Sequence, residues 1–151
     1  MRVFLLGCVA LPIVAALVLA AGFLGARALL DARNAAKLEE MGDNRARFEA
    51  LFERIEARSG CWVLITSGSR SEEEQAALKR RNKKNAAPGR SLHEKQRAMD
   101  VNLVCPTQGM LMKADRKATW EATGAPDVAR TMGFRWGGDF KSYHDPVHFE
   151  L

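Results

Sequence analysis

Apolar residues fill the first part of this chain without interruption and become periodic afterwards. From Val3 to Leu24 every residue is apolar, Gly, Pro or Cys. A helix over these residues extends about 33 Å, which matches the hydrocarbon core of a bilayer. We therefore predict that residues 1–30 form a signal anchor with one transmembrane helix. A signal peptide cleaved after Val18-Leu19-Ala20 is the alternative.

A periodic pattern of apolar positions in a charged background follows this run. The apolar positions at helical spacing are Leu38, Met41, Phe48, Leu51, Phe52 and Ile55. Their spacing predicts one amphipathic helix from about Asn34 to Arg58, ended by Ser59-Gly60. We assign residues 31–58 to this helix, acting as a spacer, and residues 59–151 to a separate folded domain.

Short buried strands alternate with helices over residues 59–151. Ser71 followed by Glu74 forms a capping box at the start of a helix. Pro126 fits the first turn of a later helix, and Gly133 fits its C-terminal stop. The predicted strands are Cys61–Thr66, Ala98–Val104 and His148–Leu151, and the predicted helices run from Ser71 to about Arg81 and from about Ala125 to Met132. This order predicts an α+β fold, with a small antiparallel sheet and helices packed on it.

Composition adds limits on size and partners. The chain has 151 residues, which leaves room for one small domain after the N-terminal segment. Its net charge of +5 suits an anionic partner, such as peptidoglycan with its free carboxylates or a phospholipid surface. The basic run at residues 79–84 offers no aromatic side chain for stacking on bases, so we expect no nucleic-acid partner.

Two histidine–aspartate pairs carry the candidate chemistry. Six residues separate His93 from Asp100, and two residues separate Asp145 from His148. His93, Asp100 and His148 supply three ligands for a tetrahedral Zn²⁺, with the fourth position open to water as in catalytic zinc sites. Asp145 would then lie beside the metal, where a general base for that water is required. Non-haem iron sites use the same ligand types but usually place the first His and the carboxylate one residue apart, so zinc is favoured.

Four ordered motifs surround these residues and resemble a known family. The motifs are Thr66-Ser-Gly-Ser-Arg-Ser71, Ser91-Leu-His93 with Ala98-Met-Asp100, Gly133 to Phe140, and Asp145-Pro-Val-His-Phe-Glu150. Together they resemble the LAS-type zinc peptidases, in the branch of D-Ala-D-Ala carboxypeptidases and L-alanyl-D-glutamate endopeptidases. The resemblance covers roughly Leu51 to Leu151. It implies that the sheet carries the metal ligands.

The resemblance also implies roles for individual side chains. The implied zinc ligands are His93, Asp100 and His148, the implied base is Asp145, and the implied substrate-binding residue is Arg70. We also predict a substrate-binding role for Ser91, which lies two residues before His93 and could instead orient that ligand. The planar guanidinium of Arg70 suits a carbonyl or a carboxylate of the substrate. We expect Trp136 to pack beneath the site and His144 to point elsewhere.

One position departs from the family pattern. The glycine that the family places three residues after the first histidine is Gln96 here. If that glycine serves a turn with positive φ, either Gln96 carries strain or the loop runs differently.

Cys61 and Cys105 bracket the first two predicted strands. The resemblance implies that these strands pair antiparallel, which would place the two cysteines within bridging distance. A disulfide is therefore predicted, and two reduced buried thiols are the alternative.

The resemblance implies a zinc-dependent peptidoglycan peptidase, an L-Ala-D-Glu endopeptidase of phage lysis. The alternatives are a D-Ala-D-Ala carboxypeptidase that trims stem peptides and a non-catalytic zinc-binding domain. Nine of the 24 residues from Val3 to Ala26 are Ala or Gly, which resembles the signal anchors that some phage endolysins later release from the membrane. We therefore expect a monomer anchored in the inner membrane, facing the periplasm, with or without later release.

Overall fold

The structure, a computed structural model, describes the backbone from Gly7 to Leu151 and the side chains from Ala21 onward. The chain divides into two compact units at the junction of Arg33 and Asn34. Among the described residues, no helix is both long enough and apolar enough to cross a membrane. Most of the predicted anchor, residues 1–30, lies outside the described side chains, so the anchor stays a prediction.

Five strands form one antiparallel sheet, and helices pack against it, so the predicted α+β fold is confirmed. The strands are β1 (Trp62–Ser67), β2 (Ala98–Cys105), β3 (Gly109–Leu111), β4 (Arg135–Trp136) and β5 (His148–Glu150). The helices are α1 (Gly7–Glu39), α2 (Arg45–Ser59), α3 (Glu72–Arg81), α4 (Lys117–Glu121) and α5 (Ala125–Thr131), with 3-10 turns at Gly42–Asn44 and Gly137–Asp139. The sheet order is β1-β2-β5-β4, and β3 also pairs with β2. Strand β2 is therefore central, and it pairs with three others.

The single helix predicted from about Asn34 to Arg58 is wrong. Helix α1 ends at Glu39 and α2 begins at Arg45, because Gly42 takes a left-handed conformation with φ of 53°. This conformation, which glycine adopts without steric cost, ends one helix and redirects the chain into the next.

The segment assigned to a spacer contributes to the core instead. Its buried apolar residues are Leu38, Met41, Phe48, Leu51, Phe52 and Ile55, which join the core formed with the sheet. The side chain of Asn34 also donates to the carbonyl of Val63 at 2.7 Å and accepts from the amide of Ile65 at 3.0 Å. These bonds satisfy backbone groups on the outer edge of β1, which would otherwise remain unpaired. Residues 34–58 therefore belong to the same compact unit as the sheet.

Two local predictions are confirmed by side-chain contacts. The Ser71 hydroxyl accepts from the amide of Glu74, whose carboxylate accepts from the amide of Ser71, so the capping box of α3 is formed. Cys61 and Cys105 form a disulfide with a Cα–Cα distance of 4.2 Å. They lie directly beyond the paired residues Trp62 and Val104 of β1 and β2.

Candidate metal centre and its cleft

Three candidate ligands converge at the end of the central strand. Asp100 of β2 and His148 of β5 are direct partners in the antiparallel register, and His93 lies on the loop that leads into β2. The Nδ1 atom of His148 is 2.8 Å from Oδ1 of Asp100, and Nε2 of His93 is 3.4 Å from the same oxygen. One ligand atom from each residue lies within 4.8 Å of the others. Two imidazole nitrogens and a carboxylate oxygen form a donor set that suits Zn²⁺.

The second nitrogen of each imidazole is held from outside this cluster. Nδ1 of His93 donates to the carbonyl of Gly68 at 2.8 Å, which leaves Nε2 directed at Asp100. Nε2 of His148 hydrogen-bonds to the carboxylate of Glu150 at 2.9 Å, which leaves Nδ1 directed at Asp100. Such outer contacts fix the orientation of metal-binding histidines. The two rings are thus held ready to bind a metal.

Mutual hydrogen bonding shifts the pKa values of these groups. For Asp100, burial raises the pKa, but hydrogen bonds from His148 and His93 outweigh it and hold the pKa well below its ordinary value. For His148, burial lowers the pKa, but the carboxylates of Asp100 and Glu150 outweigh it and raise the pKa to about 9. Without a metal, His148 is therefore protonated at neutral pH and donates from both nitrogens. A metal at this site must displace one of these protons.

The cluster opens into a cleft of about 590 Å³. Its lining includes the three candidate ligands together with Arg70, Ser91, Lys113, Tyr143, His144 and Asp145. All six residues named from sequence as site residues therefore face one cleft. The motifs that contain Asp100 and His148 are far apart in the chain and meet here because β2 and β5 are neighbours in the sheet.

Asp145 is held at the edge of the cleft by its backbone. Its amide donates to the carbonyl of Gly137, and its own carbonyl accepts from the amide of His148. A Cβ atom on Gly137 would lie 2.2 Å from the carbonyl oxygen of Asp145, so this position requires glycine. In the side chain, Oδ2 accepts from Lys113 at 2.8 Å, whereas Oδ1 is buried and has no hydrogen-bond partner among the described residues.

Trp136 supports the same loop from below, as predicted. Its ring is buried, and its indole N–H donates to the carbonyl of Pro146 at 2.7 Å. A Cβ atom on Gly138 would lie 2.3 Å from the ring, so the second glycine of the motif is needed for this packing. The tryptophan and the two glycines thus position the loop that carries Asp145.

Arg70 and Ser91 also contact the ligand cluster or its supports. The guanidinium of Arg70 donates to Gln75 at 2.7 Å and to Ser67 at 2.9 Å, and its Nη2 lies 3.9 Å from Oδ2 of Asp100. The hydroxyl of Ser91 accepts from the backbone amide of His93 at 3.3 Å. Ser91 therefore positions the backbone of a ligand.

His144 is engaged away from the ligand cluster. Its Nε2 lies 2.9 Å from the carbonyl of Asp115. The cluster capable of holding a metal contains His93, Asp100 and His148, without His144. The geometry agrees with the expectation that this histidine points elsewhere.

Gln96 adopts a left-handed conformation of the kind that glycine favours. It is the one non-glycine residue with positive φ among those described, at 54°. Its side chain donates to the carbonyl of Glu40 at 2.9 Å, and its carbonyl accepts from the side chain of Asn44 at 3.0 Å. These two contacts tie the loop to the turn between α1 and α2.

Three supporting residues were not singled out from the sequence. Glu150 had a usable signal, because it lies two residues after His148 on a predicted strand and so shares its face. The roles of Gly68 and Lys113 had no comparable signal, because each depends on a contact with a distant part of the chain.

The fold and site define a small α+β domain with a His-Asp-His cluster that could hold a metal ion, in an open cleft. A family model described as D-alanyl-D-alanine carboxypeptidase matches residues 84–151, which include the three candidate ligands and Asp145. This match and the two relatives below support the resemblance of the chain to the LAS-type peptidases.

Two relatives extend the comparison. The chain is 33% identical over 114 residues to the peptidoglycan L-alanyl-D-glutamate endopeptidase CwlK of Bacillus subtilis (strain 168), a match that covers 63% of this chain and 64% of CwlK. Among solved structures, the L-Ala D-Glu endopeptidase ChiX of Serratia marcescens matches with a TM-score of 0.59 and 25% identity. That match covers 80% of this chain and 86% of ChiX.

Proposed function

We propose that this chain is a zinc-dependent peptidoglycan peptidase that hydrolyses the L-Ala-D-Glu bond of stem peptides. The observation that carries the proposal is the convergence of His93, Asp100 and His148 in a cleft beside Asp145. The names of CwlK and ChiX support the choice of bond, because both are endopeptidases for this linkage.

The three converging side chains would hold the metal through Nε2 of His93, Nδ1 of His148 and the carboxylate of Asp100. Zn²⁺ bound there supplies Lewis acidity to the attacking water and to the scissile carbonyl. The contacts of Gly68 and Glu150 keep both imidazoles in the required orientation.

Asp145 is the proposed general base. It faces the cleft but is not part of the ligand cluster, so its carboxylate is available for proton transfer. It accepts the proton of the attacking water and then gives it to the leaving amine nitrogen. Arg70, the cation beside Asp100 in the same cleft, is placed to stabilise negative charge on the carbonyl oxygen. Ser91 acts indirectly, through the backbone of His93.

A D-Ala-D-Ala carboxypeptidase is the second candidate. The description of the matching family model favours it, and the same metal and base would serve either bond. The two activities differ in their products, because the endopeptidase separates L-Ala from the rest of the stem, whereas the carboxypeptidase removes only the terminal D-Ala.

Digestion of purified muropeptides by the full-length protein, analysed by mass spectrometry, tests both candidates. We expect cleavage between L-Ala and D-Glu that stops on chelation and returns with Zn²⁺. Asp145→Asn should retain metal without turnover, and Asp43→Asn at an exposed turn is a matched control that should remain active. Release of D-Ala alone would select the carboxypeptidase. Bound zinc without any cleavage would favour a non-catalytic domain.

We further propose that the N-terminal segment tethers the protein to the inner membrane, facing the periplasm, as part of a phage lysis system. The unbroken apolar run from Val3 to Leu24 supports the tether. The disulfide between Cys61 and Cys105 fits an oxidising compartment. Fractionation of cells and N-terminal sequencing of the mature protein test this proposal, and a mature start at Ala21 would replace the tether with a cleaved signal peptide.

A further inference from the structure

Lys113 is a cation in the cleft that the proposed reaction does not use. It follows β3 and the exposed Met112, and its ammonium lies 2.8 Å from Oδ2 of Asp145. The two partners differ strongly in exposure, since the side chain of Lys113 is 63% exposed and that of Asp145 is 13% exposed. A largely solvated lysine loses little on changing partner. Its ammonium is therefore free to move to an anionic group that arrives beside the base.

We propose that Lys113 is a specificity-determining residue that binds the free α-carboxylate of the D-glutamate in the substrate. This inference rests on the proposed endopeptidase function. In the stem peptide, D-Glu continues the chain through its γ-carboxyl group, so its α-carboxylate remains free. That carboxylate is attached to the carbon atom that carries the leaving nitrogen.

The role proposed for Lys113 follows from the role proposed for Asp145. To protonate the leaving nitrogen, Asp145 must lie within hydrogen-bonding distance of it. Each oxygen of the α-carboxylate is only three bonds of about 1.2–1.5 Å from that nitrogen. The carboxylate must therefore lie close to Asp145, where Lys113 already is. The ammonium also offsets the repulsion between the substrate carboxylate and the carboxylate of the base.

Arg70 is less suited to this task, although it lines the same cleft. Its guanidinium is held by Gln75 and Ser67, it lies beside Asp100, and its side chain is only 15% exposed. These contacts place it on the side of the metal ligands, where the carbonyl oxygen would lie. Lys113 lies instead beside the base, on the side of the leaving group.

Two substrates that differ in one group provide the test. One is a muropeptide with a free α-carboxylate on D-Glu, and the other carries the α-carboxamide at the same carbon. For the unaltered full-length protein, we expect kcat/KM to be at least about tenfold higher with the carboxylate, as for other charge-assisted contacts. Because Lys113 also contacts the base, Lys113→Met can slow both reactions, but it should lower kcat/KM for the carboxylate about tenfold more than for the carboxamide.

Two further variants and two measurements make the result decisive. Lys113→Arg should keep the preference, because the positive charge remains. Lys83→Met, which removes an exposed lysine outside the lining of the cleft, should also keep it. Metal content and the thermal midpoint confirm that each variant is folded.

The outcomes separate this inference from the proposed function. Equal loss on both substrates in Lys113→Met would overturn the inference, because Lys113 would then act only on Asp145. Cleavage of both substrates by the unaltered protein without preference would overturn it as well, while leaving the endopeptidase function intact. Failure to cleave either substrate would overturn both.

Discussion

Reduction of the disulfide between Cys61 and Cys105 should strongly destabilise the compact unit. Both cysteines are buried, and the bond joins the ends of β1 and β2, the two strands that position the site. The cysteines are 44 positions apart, so the bond closes a loop of 45 residues. A loop of this length is flexible in the unfolded chain, and cross-linking it removes conformational entropy from that state.

The magnitude follows from the loop length. In the chain-entropy model, a 45-residue loop corresponds to about 4 kcal/mol at 25 °C. The unit Asn34–Leu151 contains 118 residues (151 − 34 + 1), and its unfolding entropy is about 0.25 kcal/mol/K near 60 °C. The midpoint of thermal unfolding should therefore fall by about 16 °C on reduction. Since domains of this size have a total stability of about 5–15 kcal/mol, a chain kept reduced would be only marginally folded.

Thermal melts followed by circular dichroism measure this effect. The reductant should be a phosphine, because thiols bind zinc, and Cys8→Ala keeps a third thiol from exchanging with the pair. The double variant Cys61→Ala/Cys105→Ala is the control, and its midpoint should not respond to the phosphine. A fall of less than about 3 °C in the unaltered protein would refute the entropic argument.

Four further predictions concern the site. His93→Ala should lose bound metal and wall hydrolysis, as measured by metal analysis and turbidity; full activity would remove the proposed metal site. Asp145→Asn should keep the metal but lose roughly 10²–10⁴ in rate, and loss of metal would instead make Asp145 a ligand. Because the pKa of His148 is raised from 6.5 to about 9 without metal, its contribution to the free energy of unfolding is complete below pH 6.5 and is lost as the pH rises to about 9. The thermal midpoint of the chelated protein should fall over that range, and an equal fall in His148→Asn would contradict this. Gln96→Ala should lower the free energy of unfolding by about 1 kcal/mol, because it keeps the positive φ and loses the bond to Glu40. Gln96→Gly should have a free energy of unfolding closer to that of the unaltered protein, because glycine relieves the strain of a positive φ. Urea unfolding measures both variants, and an alanine variant more stable than the glycine variant would refute this prediction.

Elements with strong local signals were predicted from the sequence. The helix α3 begins at its capping box, and β1 and β2 follow their buried runs. The elements β3, β4 and α4 were missed, because segments of two to five residues are too short to show a period. The break at Gly42 was also missed, because the apolar positions on both sides of it continue the same spacing.

The sequence by itself predicted the donor types of the candidate metal site and their order. The spacing of His93, Asp100 and His148 within their motifs was sufficient, because the chemistry of zinc limits the residues that can hold it. The sequence left open whether Gln96 takes a conformation with positive φ or whether the loop runs differently. Tertiary structure decided it, because the bond to Glu40 and the contact with Asn44 come from a segment more than fifty positions away.

Only the tertiary structure decided which contacts hold the side chains of the site and which charged groups lie beside them. The register of β2 and β5 places Asp100 opposite His148. The close approach of Asp145 to Gly137 and its pairing with Lys113 depend on loops that come together when the sheet forms. Such contacts leave no periodic signal in the sequence, because two residues in contact can lie at almost any separation along the chain. They exist only once the burial of apolar surface has fixed the strands in one register.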